Sequence, residues 1–180
     1  MRSPTDPAPA WGLVEALASP DVRRRMAAVS ALRALGRSAA PALERGLVHD
    51  SRPVVRRWCA HLLGLMPGRG SASAILTGTQ DPLAIVRLLS MQALAARTER
   101  GDMGLDPVPH MVRLARHDRS KRVRHAALEI LAARARDPRA AACLLDAATD
   151  PAVPEDLRRS CMRAARALPD RRTTLATVGF

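Results

Sequence analysis

The chain has 180 residues, of which 47% are hydrophobic and 26% charged, and its formal net charge is +12. It contains one Phe, two Trp and no Tyr, which excludes a core built on aromatic rings and favours thin, closely packed helix pairs. No apolar run approaches the roughly 18 residues of a membrane span, and no apolar signal-peptide segment is present. The sequence therefore predicts a cytoplasmic protein with no membrane partner.

A short turn motif that closes with an arginine recurs five times along the chain. The copies lie at 19–25, 50–56, 81–87, 118–124 and, two residues longer, 150–158. They close with Arg25, Arg56, Arg87, Arg124 and Arg158. The steps between these arginines are 31, 31, 37 and 34 residues. A repeat period of roughly 20 to 50 residues is typical of a solenoid.

Each motif is preceded by one predicted helix and opens a second. In chain order the first helices of the pairs are expected at 11–18, 39–48, 72–79, 108–116 and 140–148. In the second helices, apolar positions recur at helical spacing, and a small side chain follows three residues after each arginine. These small residues, which allow two helices to approach closely, are Ala28, Cys59, Ser90, Ala127 and Cys161.

The helix boundaries carry local start and stop signals. Ser19-Pro20, Asp81-Pro82 and Asp150-Pro151 place a side-chain oxygen directly before a proline. This pattern predicts an N-cap followed by proline in the first helical turn. Helix ends are expected at Gly36, at Pro67-Gly68 and at Pro169.

The helix-turn-helix unit, with Asp before the turn and Val-Arg opening the second helix, resembles the HEAT repeat, in particular the short bacterial repeats of the phycobilisome-lyase type. The resemblance covers about residues 11 to 169, and the first copy departs from it at Ser19 and Arg24. It implies an all-α fold, a right-handed α-solenoid of five antiparallel helix pairs. The repeats are expected at about 11–36, 38–66, 72–97, 107–136 and 138–169.

These repeats are expected to form one solenoid domain over 11–169. A disordered N-terminus, 1–10, precedes it and a flexible tail, 170–180, follows it. Trp11 and Leu13, at the beginning of the first helix, are expected to cover the N-terminal end of the array. Phe180 is a candidate anchor for self-association, so the expected state is a monomer or a weak homo-oligomer.

The aspartates and arginines of the motif have a structural interpretation. Each arginine can reach an aspartate of its own or of the neighbouring turn, which predicts a ladder of ion pairs along the stack. The predicted ladder comprises Arg25, Asp50, Arg56, Asp81, Arg87, Asp118, Arg124, Asp150 and Arg158. Ligand binding by the same arginines is the competing interpretation.

The remaining charge points to a binding surface. In HEAT-like stacks the second helices line the concave face, so residues one, five and eight places after each arginine are expected to form an exposed ridge. Its best candidates are Arg57, His61, Gln92, His125, Glu129, Arg159, Arg163 and Arg166. Arginine pairs bidentately with carboxylates, so we expect a non-catalytic scaffold or adaptor that docks an acidic peptide or protein. For the last three arginines, a solubilising cap at the end of the array is an equal alternative.

Two other functions stay open at this level. Sequence-independent binding of nucleic-acid phosphates suits the net charge, and one group of HEAT-like proteins repairs alkylated DNA. That chemistry needs aromatic side chains beside a catalytic Asp, whereas the predicted second helices offer only Trp58. A lyase or isomerase subunit is suggested by the family name, with His125 and Glu129 as the one acid–base pair at suitable spacing. We expect no catalysis.

Cysteine and histidine spacing predicts neither a cofactor nor a metal site. Cys59, Cys143 and Cys161 form no CxxC or CxxxH pattern, so buried structural roles are expected. His110 and His117 share a helix face without a carboxylate or thiol to complete a ligand set.

Two segments interrupt the repeats. Residues 98–107 lengthen the third step and are either a recognition loop or a tolerated surface insertion. Residues 67–73 are a shorter Gly/Ser-rich hinge of the same kind.

Overall fold

The computed structural model describes residues 8–66, 70–101, 106–133 and 137–167. Over these residues the secondary structure is all helical, and the chain forms two compact units, Met1–Leu105 and Asp106–Phe180. The boundary between the units falls within 98–107, the segment that lengthens the third repeat. Across the described ranges, no helix is both long and apolar enough to cross a membrane.

Among its described residues, the N-terminal unit contains three helix pairs. Its helices are α1 (Ala8–Ala16), α2 (Val22–Leu35), α3 (Ala40–His49), α4 (Pro53–Leu65), α5 (Ala72–Gly78) and α6 (Ala84–Glu99). The helices of each pair pack on each other, and α3 also packs on α1 and α5, as α4 does on α2 and α6. The first helix begins at Ala8 rather than at Trp11, because Pro9 is compatible with a first helical turn.

The C-terminal unit contains two further pairs. Its helices are α7 (Val108–His117), α8 (Lys121–Ala133), α9 (Ala141–Thr149) and α10 (Glu155–Ala167). Here α7 packs on α8 and α9 on α10, and α8 also packs on α10. All five helix pairs that the sequence predicts are therefore present in the described part of the chain.

The predicted small residues lie where paired helices cross. Ala28, Cys59, Ser90, Ala127 and Cys161 are all buried. In two pairs the facing helix contributes a glycine. A Cβ atom on Gly46 would lie 2.6 Å from the Cys59 sulfur, and one on Gly78 would lie 2.2 Å from the Ser90 hydroxyl oxygen. The close approach of these helices therefore depends on small residues on both sides.

The turns between paired helices differ from the predicted caps. Pro20, Pro82 and Pro151 lie in the turns, two to four residues before the helices begin at Val22, Ala84 and Glu155. The prediction of proline in a first helical turn is therefore wrong at these three places.

The reason is a competing hydrogen bond from the aspartate side chain. Asp50 Oδ1 accepts the N–H of Arg52 at 2.8 Å, and Asp81 Oδ1 accepts that of Leu83 at 2.8 Å. Before α2 the helix cap is Asp21 rather than Ser19, and its side chain accepts the N–H of Arg23 at 2.9 Å. The aspartate side chain thus stabilises the turn by accepting the backbone N–H of the residue two positions later.

The closing arginine of the motif also stabilises the turn, through a hydrogen bond to the backbone at the beginning of the motif. In four turns its Nη1 donates to the carbonyl oxygen of the residue six positions earlier, at 2.7 to 3.0 Å. The pairs are Arg25 with Ser19, Arg56 with Asp50, Arg87 with Asp81 and Arg124 with Asp118. A cation at this place suits the carbonyl end of the preceding helix.

A buried arginine caps the C-terminal end of α4. Arg97, on α6, is only 2% exposed. Its Nη1 donates to the Leu63 carbonyl oxygen at 3.0 Å, and its Nη2 donates to the carbonyl of Gly70. Arg100 Nη2 donates to the Gly64 carbonyl oxygen at 2.9 Å. The two arginines satisfy carbonyls that the last turn of a helix leaves without intrahelical donors.

We expect Arg97→Met to lower the free energy of unfolding of the N-terminal unit by about 3 kcal/mol, because the buried Leu63 carbonyl loses a charged donor. Denaturant unfolding followed by the fluorescence of Trp11 and Trp58, both in this unit, measures the change. Arg33→Met, at an exposed position on α2, is the matched control and should change stability by no more than about 0.5 kcal/mol. Equal losses in the two variants would contradict the role of Arg97.

We expect Gly78→Ala to destabilise the same unit by about 1 to 3 kcal/mol, because its new Cβ overlaps Ser90. The Ser90 hydroxyl oxygen is buried and has no hydrogen-bond partner among the described residues, so Ser90→Ala should be neutral or slightly stabilising. In a double-mutant cycle, Ser90→Ala should recover part of the loss caused by Gly78→Ala. If the changes in unfolding free energy of the two variants simply add, the new Cβ at position 78 does not contact Ser90.

Candidate functional site

The predicted ridge residues of the N-terminal unit are exposed on neighbouring second helices. Arg57 and His61 lie one helical turn apart on α4, and Gln92 lies on α6. The guanidinium carbon of Arg57 lies 5.8 Å from the centroid of the Trp58 ring, and the Trp58 and His61 rings meet edge to face at 6.0 Å. The indole N–H of Trp58 is buried. Trp58 therefore supports the two exposed side chains rather than offering a free ring face.

A groove between α4 and α6 brings His61 and Gln92 together. Its other lining residues are Gly64, Leu65, Leu89, Ala93 and Ala96. The groove is shallow because the helices nearly touch: a Cβ atom on Gly64 would lie 3.0 Å from the Ala93 Cα. Leu65 is 50% exposed at its edge. The result is an apolar strip bordered by an imidazole and a carboxamide, with no acidic residue in its lining.

In the C-terminal unit, the ridge arginines lie on α10. Arg159 Nη1 pairs with Glu155 Oε1 at 2.8 Å, one helical turn earlier. Arg163 Nη2 donates to the Ser160 hydroxyl at 3.2 Å. Arg159, Arg163 and Arg166 are all exposed. One of the three charges is therefore compensated within its own helix.

His125 lies in a polar pocket rather than on an exposed ridge. The pocket is formed by α7, α8, α9 and the turn before α10, and its polar lining comprises Arg116, Arg124, His125, Cys143, Asp146 and Asp150. Arg116 Nη2 pairs with Asp146 Oδ2 across it at 2.8 Å. Glu129 is exposed and lies outside the lining. In the described part of the chain, no hydrogen bond joins His125 to Glu129.

The surroundings of His125 favour its neutral form. Burial lowers its pKa below the ordinary value of 6.5, and the cations of Lys121 and Arg124 act in the same direction. Glu129 and Asp150 oppose this shift. At neutral pH the pocket therefore holds an uncharged imidazole beside two arginines and two aspartates.

Among the predicted ladder residues, Arg56 reaches the aspartate of the next turn. Its Nε lies 2.6 Å from Asp81 Oδ2 and its Nη2 lies 3.3 Å from Asp81 Oδ1, and both side chains are largely buried. Asp50 instead pairs with Arg52 in its own turn, and this hydrogen-bonded guanidinium lowers the pKa of the Asp50 carboxyl. For Arg124 and Asp150, both of which are fully described, the structure contains no ion pair.

All three cysteines are buried, as predicted. Burial raises the pKa of the Cys161 thiol to about 11 and also raises those of Cys59 and Cys143. They are protonated at neutral pH and therefore poor nucleophiles. Within the described residues, no group of three or more His, Cys, Asp or Glu side chains could hold a metal ion.

Several predicted features lie outside the described residues. They are the segment 1–7, the helix ends at Pro67-Gly68 and Pro169, the centre of the 98–107 insertion at 102–105, and the tail with Phe180.

No protein-family model matches the chain, and no curated protein matches it. The function is therefore inferred from the groove, the pocket and the charges that surround them.

We expect His125 to titrate in the folded protein with a midpoint below 6.5, measured by NMR on its imidazole. Because the unfolded chain takes up this proton first, the stability that neutral His125 contributes is complete above pH 6.5 and is lost as the pH falls through the folded pKa. In His125→Gln, the unfolding free energy should fall less steeply as the pH drops below 6.5. Lys121→Gln should raise the midpoint of His125, because one repelling cation is removed. A midpoint at or above 6.5 would contradict the burial of this side chain.

Proposed function

We propose that the protein is a non-catalytic scaffold or adaptor whose second-helix surface docks an acidic peptide or protein partner. The groove between α4 and α6 carries the proposal. It joins two predicted ridge residues, His61 and Gln92, across an apolar strip, and the exposed cation of Arg57 lies on the same helix face as His61.

The chemistry of this surface suits a partner segment that has an aliphatic side chain next to a carboxylate. The aliphatic group packs on Leu65, Leu89 and Ala93, and the carboxylate pairs with the planar fork of Arg57. Arg57 makes no hydrogen bond or ion pair within the described residues, so binding breaks no existing pair. The absence of acidic residues from the groove lining removes like-charge repulsion against such a partner.

The proposal includes a HEAT-like, right-handed α-solenoid as the framework. It is supported by the way helices pack inside each unit: first helices pack on first helices and second helices on second helices, as in α3 with α5 and α4 with α6. A solenoid requires this arrangement, because each repeat contacts its neighbours and leaves one long face open.

Sequence-independent phosphate binding is the second candidate. The exposed arginines Arg163 and Arg166 on α10 favour it, since they lie near each other on one helix face. Stacking on bases is less suited to this surface, because Trp58 is half-buried against Arg57 and His61.

A displayed library of random peptides tests the proposed function. We expect the selected peptides to be enriched in Asp and Glu beside an aliphatic residue. Arg57→Glu should weaken their binding at least about tenfold, which corresponds to about 1.4 kcal/mol. Leu65→Asp should weaken it similarly. Arg33→Glu, the same charge reversal at an exposed site on α2, should leave affinity within about twofold.

Peptides without acidic enrichment, or binding that Arg57→Glu leaves intact, would overturn the groove as the docking site. Parallel titration of duplex DNA at several salt concentrations separates the second candidate. Phosphate binding predicts a steep linear fall of log affinity with log salt concentration, and its loss on Arg163→Glu with Arg166→Glu.

A further inference from the structure

The fifth turn motif departs from the others, and a pocket lies beside it. In the N-terminal unit, the Arg56 guanidinium binds the carboxylate of Asp81, which belongs to the next turn. The corresponding residues of the C-terminal unit are Arg124 and Asp150. Although the structure describes both side chains, no ion pair joins them, and both line the pocket that also contains His125.

The longer fifth turn accounts for this difference. Asp150 Oδ1 accepts the N–H of Ala152 at 2.8 Å, and the Asp150 carbonyl accepts the N–H of Val153 at 3.1 Å. Ala152 and Val153 form part of the pocket wall. Asp150 is exposed, whereas Asp81 is only 8% exposed. Asp81 accepts the equivalent bond from the Leu83 N–H and still reaches Arg56, so the two turns differ in their length and in the exposure of the aspartate rather than in this hydrogen bond.

Arg124 therefore has one guanidinium edge without a partner among the described residues, and Arg56 shows what the equivalent edge can bind. Both arginines donate Nη1 to a carbonyl of their own turn, at 2.9 Å to Asp118 and 3.0 Å to Asp50. Arg56 uses its remaining edge, Nε and Nη2, to hold the two oxygens of Asp81. The same edge of Arg124 has no hydrogen-bond partner among the described residues.

We infer that this pocket binds a carboxylate through the Nε and Nη2 edge of Arg124, in the way that Arg56 binds the carboxylate of Asp81. The bound group is either an acidic side chain of a peptide or a free small carboxylate. The inference does not depend on the proposed function, because the groove between α4 and α6 lies in the other unit.

The other charged groups of the pocket leave this edge available. Arg116 is already paired with Asp146, and among the described residues no hydrogen bond or ion pair joins the Asp150 carboxylate to Arg124. The neutral imidazole of His125 can add one N–H donor. Leu128, Ala147 and Val153 supply apolar walls for the methylene groups of a ligand. The two aspartates limit the site to a single carboxylate, since a second would be repelled.

NMR titration of the full chain tests this site, with the imidazole of His125 as the reporter. The probes are acetate and the blocked peptide acetyl-Ala-Glu-Ala-amide, and acetamide at matched ionic strength is the neutral control. We expect saturable shifts with both carboxylates, at a Kd of about 1 mM for acetate, and none with acetamide. A Kd for the peptide about tenfold below that of acetate identifies a peptide side chain as the ligand, and equal values identify a free carboxylate.

Two variants assign the site to Arg124. Arg124→Lys replaces the fork by a point charge and should raise the Kd about tenfold, whereas Arg122→Lys, exposed on the same helix, should not change it. Ala152→Asp leaves Arg124 in place but adds a competing carboxylate at the exposed wall. It should also raise the Kd about tenfold, and its isosteric neutral control, Ala152→Asn, should not.

Three results would overturn the inference. They are the lack of a saturable shift with acetate, the same shift with acetamide, and binding that is equal in Ala152→Asp and Ala152→Asn. The last comparison decides the question even where Arg124→Lys fails to fold, because Arg124 also fastens its own turn.

Discussion

The fold depends on one local arrangement, the turn in which an aspartate carboxylate and an arginine guanidinium bind the same short stretch of backbone. Asp50 accepts an N–H two residues ahead, and Arg56 donates back to the Asp50 carbonyl. In the four turns that have the arginine bond, these contacts mark where the first helix ends and where the second begins. Because the arginine uses only Nη1 for this purpose, its other edge remains available. Arg56 uses that edge to bind the next turn.

Close packing with few aromatic side chains is the second constraint. Cys59 and Ser90 meet Gly46 and Gly78 at distances that leave no room for another methyl group. Thin pairs of this kind have little interior in which to hide the polar ends of their helices. The structure meets this need with arginine, whose long apolar stem crosses the packed layer while its head reaches a carbonyl. Arg97 is nearly inaccessible for this reason.

The sequence predicts the helix pairs well, because periodicity and turn residues are local signals. It also identifies the buried small residues, Ala28 and Ser90 among them. It misplaces the caps, because an aspartate side chain can satisfy an N–H in a turn as well as one at a helix start. Arg97 lies at no repeat position, and its partner Leu63 is 34 residues away. The pocket at Arg124 depends on two side chains that fail to pair, and only the longer fifth motif hints at it.

A high arginine content therefore does not by itself identify a polyanionic partner. The chain has 29 Lys and Arg residues, yet Arg25, Arg56, Arg97 and Arg124 each donate to backbone carbonyls of the protein itself. The charge that matters for recognition is the part whose hydrogen-bonding edge stays free. A nucleic-acid backbone needs many such cations in a row, whereas a carboxylate needs a single planar edge. The protein already contains that second kind of contact, between Arg56 and Asp81, and the carboxylate site proposed at Arg124 repeats it.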